Sequence, residues 1–324
     1  MKIIFFLDSL TYMKGLTGGV RQYADKFYSL LTDSGFDVKW SHEIDINDLK
    51  SYDLIHIFSS FTANKRIFDL AKDKLPVVLS PIYDPVVNSK VLLKSLITIS
   101  SLPGIHSNHR SRFHMVKNAN YVFTMSKFER MRLIRDYNLN FNSSILRIPT
   151  NLECLGKYKR SGVLFIGDLS NKRQNIASLC DIAPSINANI TLVGKSGSKS
   201  LMGKIDKIPN INYLGIISND EKKLLYNTKK VFFLPAFTAG LGLAAVDAAQ
   251  AGMLVSHTNS GGTNEYIKDY GFRFNPYNKN QMLKAVNNAL FSNKLDCLKI
   301  YEKNCILNSI INGYTVAINN FKNN

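Results

Sequence analysis

Acidic residues are scarce in this 324-residue chain: 24 Asp and Glu stand against 41 Lys and Arg, a net charge of +17 with histidine neutral. The excess is not confined to a tail. Residues 1–157 hold 21 basic against 14 acidic side chains, and residues 158–324 hold 20 against 10. Such a surface attracts anionic partners: nucleic acid, anionic lipid or phosphorylated small molecules. Cysteine is scarce too. The four, Cys154, Cys180, Cys297 and Cys305, follow neither a metal spacing nor a disulfide framework, which fits a reducing, cytoplasmic setting. His106, His109 and His114 match no ligand pattern, so no metal site is expected. No run approaches the roughly 18 apolar residues of a membrane span, and the start, MKIIFFLDSL, is too short in its apolar part for a signal peptide. No zinc, helix-turn-helix or basic–aromatic recognition pattern is present, so a nucleic-acid partner is not expected.

What is present is a repeated alternation. Short apolar runs at Lys2–Leu7, Asp37–His42, Tyr52–Phe58, Leu75–Ser80, Ala119–Ser126, Val163–Ile166, Ile190–Gly194 and Val231–Leu234 are separated by stretches with helical spacing. Strands alternating with helices imply parallel βαβ units, an α/β class. The length allows two such domains. The division falls after Pro149-Thr150-Asn151, with a linker over 152–161 and domains of 1–157 and 158–324. Ser218 with Glu221 three residues on reads as a capping box opening a short helix.

Glycine sits where strands would end. Gly18-Gly19 precedes a helix carrying Arg21 in its first turn; Gly194 is followed by Lys195; Gly240 and Gly242 precede an Ala-rich helix, Leu243–Ala251, stopped by Gly252; Gly261-Gly262 follows the next apolar run. Glycine turns at the carboxyl ends of parallel strands bring bare N–H groups near helix N-termini, where anions bind. From residues 86 to 117 an apolar half is followed by a basic one, which leaves open a core helix with a solvated face or an amphipathic segment on an anionic membrane surface.

The stretch Ala239-Gly240-Leu241-Gly242-Leu243 … Asp247-Ala248 … Gly252 … Gly261-Gly262 … Glu265 resembles the signature of retaining nucleotide-sugar glycosyltransferases of family 4, E-G-[FL]-G-L-x-x-x-E-A-x-A-x-G followed by G-G-x-x-E. The resemblance covers almost the whole chain. It implies a GT-B fold, with two Rossmann-like doubly wound domains facing a cleft and C-terminal helices crossing back to the first domain. It implies a donor site for a UDP- or GDP-linked sugar and an acceptor hydroxyl on a glycan or lipid-linked substrate of bacterial envelope polysaccharide or lipopolysaccharide synthesis, reached at the inner membrane face. No cofactor is implied, and the D-x-D metal-diphosphate signature of the other glycosyltransferase fold is missing.

Residue by residue, the resemblance assigns the donor diphosphate to Lys172 and Arg173 and to the turns at Gly18, Gly19, Gly194, Lys195, Gly240, Leu241, Gly242, Gly261 and Gly262, with Arg21 adding charge. Leu214 would lie by the nucleotide base, Asp247 would accept from ribose hydroxyls, and Glu265 would face the sugar, with Arg173, Asp247 and Glu265 as the catalytic set. Two departures stand out: Ala239 replaces the first motif carboxylate, and Asp168 occupies an arginine position. A histidine expected after the fourth strand is replaced by Ile82 or Tyr83, with Tyr83 and Asp84 as alternatives facing the cleft. A catalytically inactive GT-B protein that steadies another transferase is therefore the second expectation.

Overall fold

The computed structural model describes residues 1–8, 19–41, 46–83, 90–99, 107–146, 152, 158–267, 271–292 and 303–323. The chain divides into two compact units: Met1–Pro149 together with Tyr301–Asn324, and Thr150–Ile300. The junction read at Pro149-Thr150-Asn151 lies outside the described residues, as does half of the linker, 153–157.

Unit 1 begins β1 (Lys2–Phe6), α1 (Gly19–Thr32), β2 (Asp37–Trp40), β3 (Leu54–Phe58), α2 (Thr62–Ala71) and β4 (Val77–Ser80). It continues α3 (Lys90–Ile99), α4 (Asn108–Asn118), β5 (Tyr121–Thr124), α5 (Lys127–Tyr137) and β6 (Ser143–Ile145). The strands form one parallel sheet in the order β2-β1-β3-β4-β5-β6. The central strands read as unbroken apolar runs because helices cover both faces of a parallel sheet. Helix α1 buries Tyr23, Ala24, Phe27, Leu30 and Leu31, a stripe at helical spacing.

Two expectations for this unit are corrected. The basic half of the 86–117 stretch is only in part a solvated face: Arg110 and Lys117 are exposed, but the stretch also contributes to the core of the unit. Helix α4 turns Arg112 and two histidines toward the unit: Arg112 is 5 % exposed, His109 Nδ1 lies 3.0 Å from the Tyr137 hydroxyl, and His114 Nε2 lies 2.7 Å from Asp69. Tyr83 does not face a ligand. It is 2 % exposed, and its hydroxyl donates to Asp136 at 2.7 Å. Asp84 and His106 lie outside the described residues. Ile82 has φ +50°, and Ser59 at the end of the neighbouring strand has φ +79°. A β-branched residue there is strained, and the strain is held by backbone bonds from Ser59 to Ser80 and from Ser60 to Pro81.

Unit 2 runs β7 (Val163–Ile166), α6 (Ile176–Ile182), β8 (Ile190–Val193), α7 (Lys199–Ile205), β9 (Ile211–Tyr213) and α8 (Asn219–Thr228). Then follow β10 (Val231–Leu234), α9 (Leu243–Gln250), β11 (Leu254–Thr258), α10 (Thr263–Ile267), β12 (Gly271–Phe274) and α11 (Lys279–Phe291). Its parallel sheet has the order β12-β11-β10-β7-β8-β9. The chain winds outward from β7 through β9, then restarts on the other side with β10. The switch point lies between β7 and β10, where open α/β sheets bind ligands. The capping box forms as read: Ser218 accepts from the Glu221 N–H, and Glu221 accepts from the Ser218 N–H. Helix α9 ends in a Schellman motif, with Gly252 at φ +84° and bonds from Met253 N to Ala248 O and Gly252 N to Ala249 O.

His257, in β11, is the one histidine of unit 2. Its Nδ1 donates to the Thr258 carbonyl at 3.0 Å, and its Nε2 has no partner among the described residues. Burial, with nearby Arg273, pushes its pKa down to about 4 against the backbone bond. The unfolded imidazole takes a proton near pH 6.5, whereas the native one refuses it until about 4. Stability is therefore complete above pH 6.5 and falls with pH through that window. Between pH 7.5 and 5 unit 2 is expected to lose about 2 kcal/mol, and His257→Gln to lose much less. Urea titrations read by circular dichroism check this, with fluorescence of the sole tryptophan, Trp40 of unit 1, reporting the other unit. An unchanged pH slope in the variant would refute it.

The last helix, α12 (Lys303–Lys322), belongs to unit 1 and packs on α1, β4, β5 and β6. Ile306, Ile310, Tyr314 and Ala317 form its buried stripe. At its centre the Tyr314 hydroxyl lies 2.9 Å from His56 Nδ1, and His56 Nε2 lies 2.9 Å from Ser80 Oγ. Burial lowers the His56 pKa to about 3, so the imidazole is neutral. It couples the middle of the sheet to a helix 258 residues away.

Candidate functional site

The candidate site is built from loops at the carboxyl ends of β7, β8, β10 and β11 in unit 2. After β7, Asp168 closes an Asx turn: its Oδ1 accepts from Ser170 N at 2.9 Å and from Ser170 Oγ at 2.6 Å. The acid in the arginine position is thus committed to its own loop. Asn171 then accepts from Arg173 N at 3.1 Å and caps the single 3₁₀ turn Lys172–Gln174. Lys172 is exposed. Arg173 is half-buried, and desolvation lowers its pKa from the usual guanidinium value. The Arg173 carbonyl accepts from Phe237 N at 2.9 Å. Beside it, Asn175 is left-handed (φ +56°), buried, and donates to Pro235 O at 3.1 Å and Pro276 O at 3.2 Å. One asparagine therefore ties the loops after β7, β10 and β12 together at the switch point.

The glycines are explained by backbone meeting backbone. Gly194 has φ +128°, and a Cβ there would stand 1.9 Å from the Gly167 carbonyl oxygen. Leu169 N bonds Lys195 O at 3.0 Å, and Gly194 N bonds Gly215 O at 2.7 Å, so the turns after β7, β8 and β9 lie edge to edge. Lys195 and Leu214 are exposed on this row. On the other side, Ala239 and Gly261 form a parallel bridge. Ala239 N donates to Ser260 O at 3.1 Å, and Gly262 N reaches both Ala239 O (3.0 Å) and Gly240 O (2.9 Å). Gly242, at φ +69°, opens α9, while Thr263 Oγ1 fixes the buried Leu241 through its carbonyl at 2.9 Å.

The carboxylates fall as follows. Asp247 lies on α9, 4 % exposed, with Lys222 Nζ of α8 at 4.0 Å from its Oδ2. Glu265 is half-buried in α10, its N–H bonded to Gly262 O at 3.0 Å. Ala239 is buried in the loop bridge. In unit 1, Gly18 lies outside the described residues, and Gly19 begins α1. Arg21 is engaged within its unit: Nε lies 2.7 Å from Asp25, and the guanidinium lies 4.4 Å from the centre of the Trp40 ring. Unit 2 thus gathers Lys172, Arg173, Gly194, Lys195, Leu214, Gly240, Leu241, Gly242, Asp247, Gly261, Gly262 and Glu265 onto its loops and the helices that follow them.

Sequence reading missed three contributors. Asn175 left only a weak signal, as a residue type that tolerates positive φ. Lys222 and the aromatic pair Phe237–Tyr277 left none, since their partners are 25 and 40 residues away in the chain. Among the described residues, no group of three or more His, Cys, Asp or Glu side chains is placed to hold a metal ion, and no helix is long and apolar enough to cross a membrane.

Comparison with known proteins adds to this geometry. No curated protein sequence matches the chain. The structure resembles sucrose-phosphate synthase (tll1590) from Thermosynechococcus elongatus, with a TM-score of 0.69 at 13% identity over 99% of this chain and 94% of that one. It resembles Alr3699/HepE of Anabaena in complex with UDP and glucose, with a TM-score of 0.63 at 14% identity over 99% and 94%. The lipopolysaccharide outer core galactosyltransferase WaaB gives 0.62 at 12% identity over 100% and 98%. The two-unit α/β fold of the whole chain is the GT-B fold of these glycosyltransferases, and residues 155–304, nearly all of unit 2, match the family described as glycosyl transferases group 1.

Proposed function

We propose that this protein is a glycosyltransferase that moves a sugar from a nucleoside diphosphate sugar to an acceptor hydroxyl, with retention at the anomeric carbon. The observation that carries this reading is the convergence of Arg173, Lys172 and three glycine turns at the switch point of a unit that matches glycosyl transferases group 1. The bond from the anomeric carbon to the diphosphate breaks, the acceptor oxygen takes its place, and the acceptor proton leaves with the diphosphate. Charge grows on the departing diphosphate. A half-buried guanidinium and the N–H groups of the Gly240–Gly242 turn at the start of α9 meet it without reorganising, whereas Gly194 N and Gly262 N are spent on backbone carbonyls. Asp247 accepts from the ribose and Glu265 faces the sugar, where Ala239 offers no charge. UDP is the first donor base to try, since the HepE structures hold UDP and UDP-glucose. The acceptor in this reading is a glycan or lipid-linked hydroxyl of the bacterial envelope. The +17 charge would favour the inner membrane face; sedimentation with anionic vesicles at low salt reads that part.

A specific observation favours a second reading, a non-catalytic partner of another transferase: Ala239 lacks the carboxylate, and Lys222 already faces Asp247. Calorimetric titration with UDP, GDP and their sugar conjugates decides. Wild type is expected to bind one nucleotide, and Arg173→Ala to bind it about 100-fold more weakly. Transfer or slow donor hydrolysis supports the enzyme; binding without turnover supports the partner. Equal affinity in wild type and Arg173→Ala would remove the diphosphate role.

A further inference from the structure

An exposed aromatic pair flanks the switch point. Tyr277, on the turn after β12, is 75 % exposed, yet its ring is stacked on Phe237, with centroids 5.1 Å apart and planes at 25°. A tyrosine so open to water gains little from burial. Here the turn beneath it is fixed instead. Tyr277 N donates to Asn275 Oδ1 at 3.0 Å, Asn275 N donates to Gln281 Oε1 at 3.0 Å, and Asn278 caps α11. Phe237 is anchored through its N–H to the Arg173 carbonyl, and Asn175 clamps the two preceding prolines, Pro235 and Pro276, from one side chain. The result is a fixed backbone on both sides of the pair, with the Tyr277 ring lying against Phe237 and most of its surface open.

The order of loops along the sheet says what could lie there. Arg173 is central, on the β7 loop. The Gly194, Lys195 and Leu214 row extends past it toward β9. Phe237 and Tyr277 lie on the opposite flank, on the loops of β10 and β12. With a diphosphate at Arg173, the nucleobase at the β8–β9 row, the ribose on the helix after β10 at Asp247 and the sugar facing Glu265 after β11, which lies between β10 and β12, the group nearest the aromatic flank is the one beyond the diphosphate from the base. That group is a sugar. A pyranose ring presents a face of C–H groups, which suits the electron-rich face of an aromatic ring, while its hydroxyls stay in water at the rim.

We propose that Phe237 and Tyr277 form a stacking platform for a pyranose ring, contributed by the donor's sugar or by the acceptor. The inference rests on the nucleotide-sugar reading for its orientation. Its test separates the two. Full-length wild type, Tyr277→Ala and Tyr277→Phe are titrated with UDP, UDP-glucose and methyl α-D-glucopyranoside, the last with and without UDP, by calorimetry and saturation-transfer NMR. A platform for the donor sugar weakens UDP-glucose about tenfold in Tyr277→Ala and leaves UDP unchanged. A platform for an acceptor sugar leaves both nucleotides unchanged and weakens the glucoside about tenfold, with saturation reaching its ring C–H protons in wild type. Tyr277→Phe retains affinity in either case. The proposal is overturned if Tyr277→Ala binds UDP-glucose and glucoside as wild type does, if no pyranose binds wild type, or if the variant loses UDP itself, which would make the pair a nucleobase platform. Loss of UDP binding in Arg173→Ala tests the donor reading independently, and glucoside binding to a protein that takes no nucleotide would leave the platform standing alone.

Discussion

Replacing Arg112 by alanine is expected to destabilise unit 1 by about 3–5 kcal/mol. The guanidinium lies 4.4 Å from the centre of the Tyr83 ring; its Nε donates to Ser60 Oγ at 2.8 Å and its Nη1 to the Tyr137 hydroxyl at 3.2 Å. Around it, Tyr83 donates to Asp136, and Arg132 reaches the same carboxylate at 3.0 Å. Truncation opens a cavity under Tyr83 and leaves two buried hydroxyls short of a partner. Arg112→Lys is not expected to restore the loss, because an ammonium is a point donor and cannot reach both hydroxyls while lying flat on a ring. Trp40 fluorescence in urea reads the change as a shifted midpoint at unchanged slope. A loss below about 1 kcal/mol, the size of a surface contact, would sink the account.

Arg112 also bears on Glu129. Burial pushes that carboxyl up to about 7, while the N–H groups of Tyr83 and Met125, each 2.6 Å away, and the guanidinium pull it down. Removing Arg112 lifts it further. A carboxyl raised in the native state weighs against folding when ionised and is relieved as it takes up a proton. The Arg112→Ala loss is therefore expected to be larger at pH 8 than at pH 6.

Gly261→Ala is the second large effect, expected to cost unit 2 about 3–5 kcal/mol and to abolish nucleotide binding. A Cβ at Gly261 would stand 1.8 Å from the Ala239 carbonyl oxygen and 2.9 Å from its nitrogen, with φ at +121°. Both obstacles are backbone, so neither can rotate away. Separation of the loops would break the Ala239–Ser260 and Gly262–Ala239 bonds that hold the Gly240–Gly242 turn against Gly261–Gly262. Gly203→Ala is the control. Gly203 lies in α7 with nothing within 4 Å of the added carbon, and the change is expected to stabilise unit 2 by about 0.5–1 kcal/mol. Equal behaviour of the two variants in urea unfolding and UDP calorimetry would refute the close-contact explanation.

The elements most legible in the sequence were those set by short-range physics. Val231–Leu234 and Val163–Ile166 announced buried strands by being apolar on both faces, Ser218 and Glu221 announced a helix start, and Gly252 a helix stop. Asp168 was legible only as an acid in an arginine position; the Asx turn that keeps it on its own loop came from the structure. What escaped was long-range pairing. Arg112 looked like a surface cation because its receiving groups, Ser60 and Tyr137, are 52 and 25 residues away. Tyr83 looked free because Asp136 is 53 residues on. At the site, the glycine turns could be read one by one. That Asn175 fastens two of the loops to a third, and that Lys222 lies against Asp247, depends on how helices settle on the sheet.

The bond between His56 and Tyr314 sets an order of events during synthesis. At about 5–20 residues per second, roughly 10–50 s pass between translation of the two residues. All of unit 2 is made within that interval, so the later half of the molecule can finish folding while the earlier half still lacks α12. Until then, the surfaces of β4 and β5 that α12 covers remain open. Unit 1, although it begins first, is thus the half that is completed last.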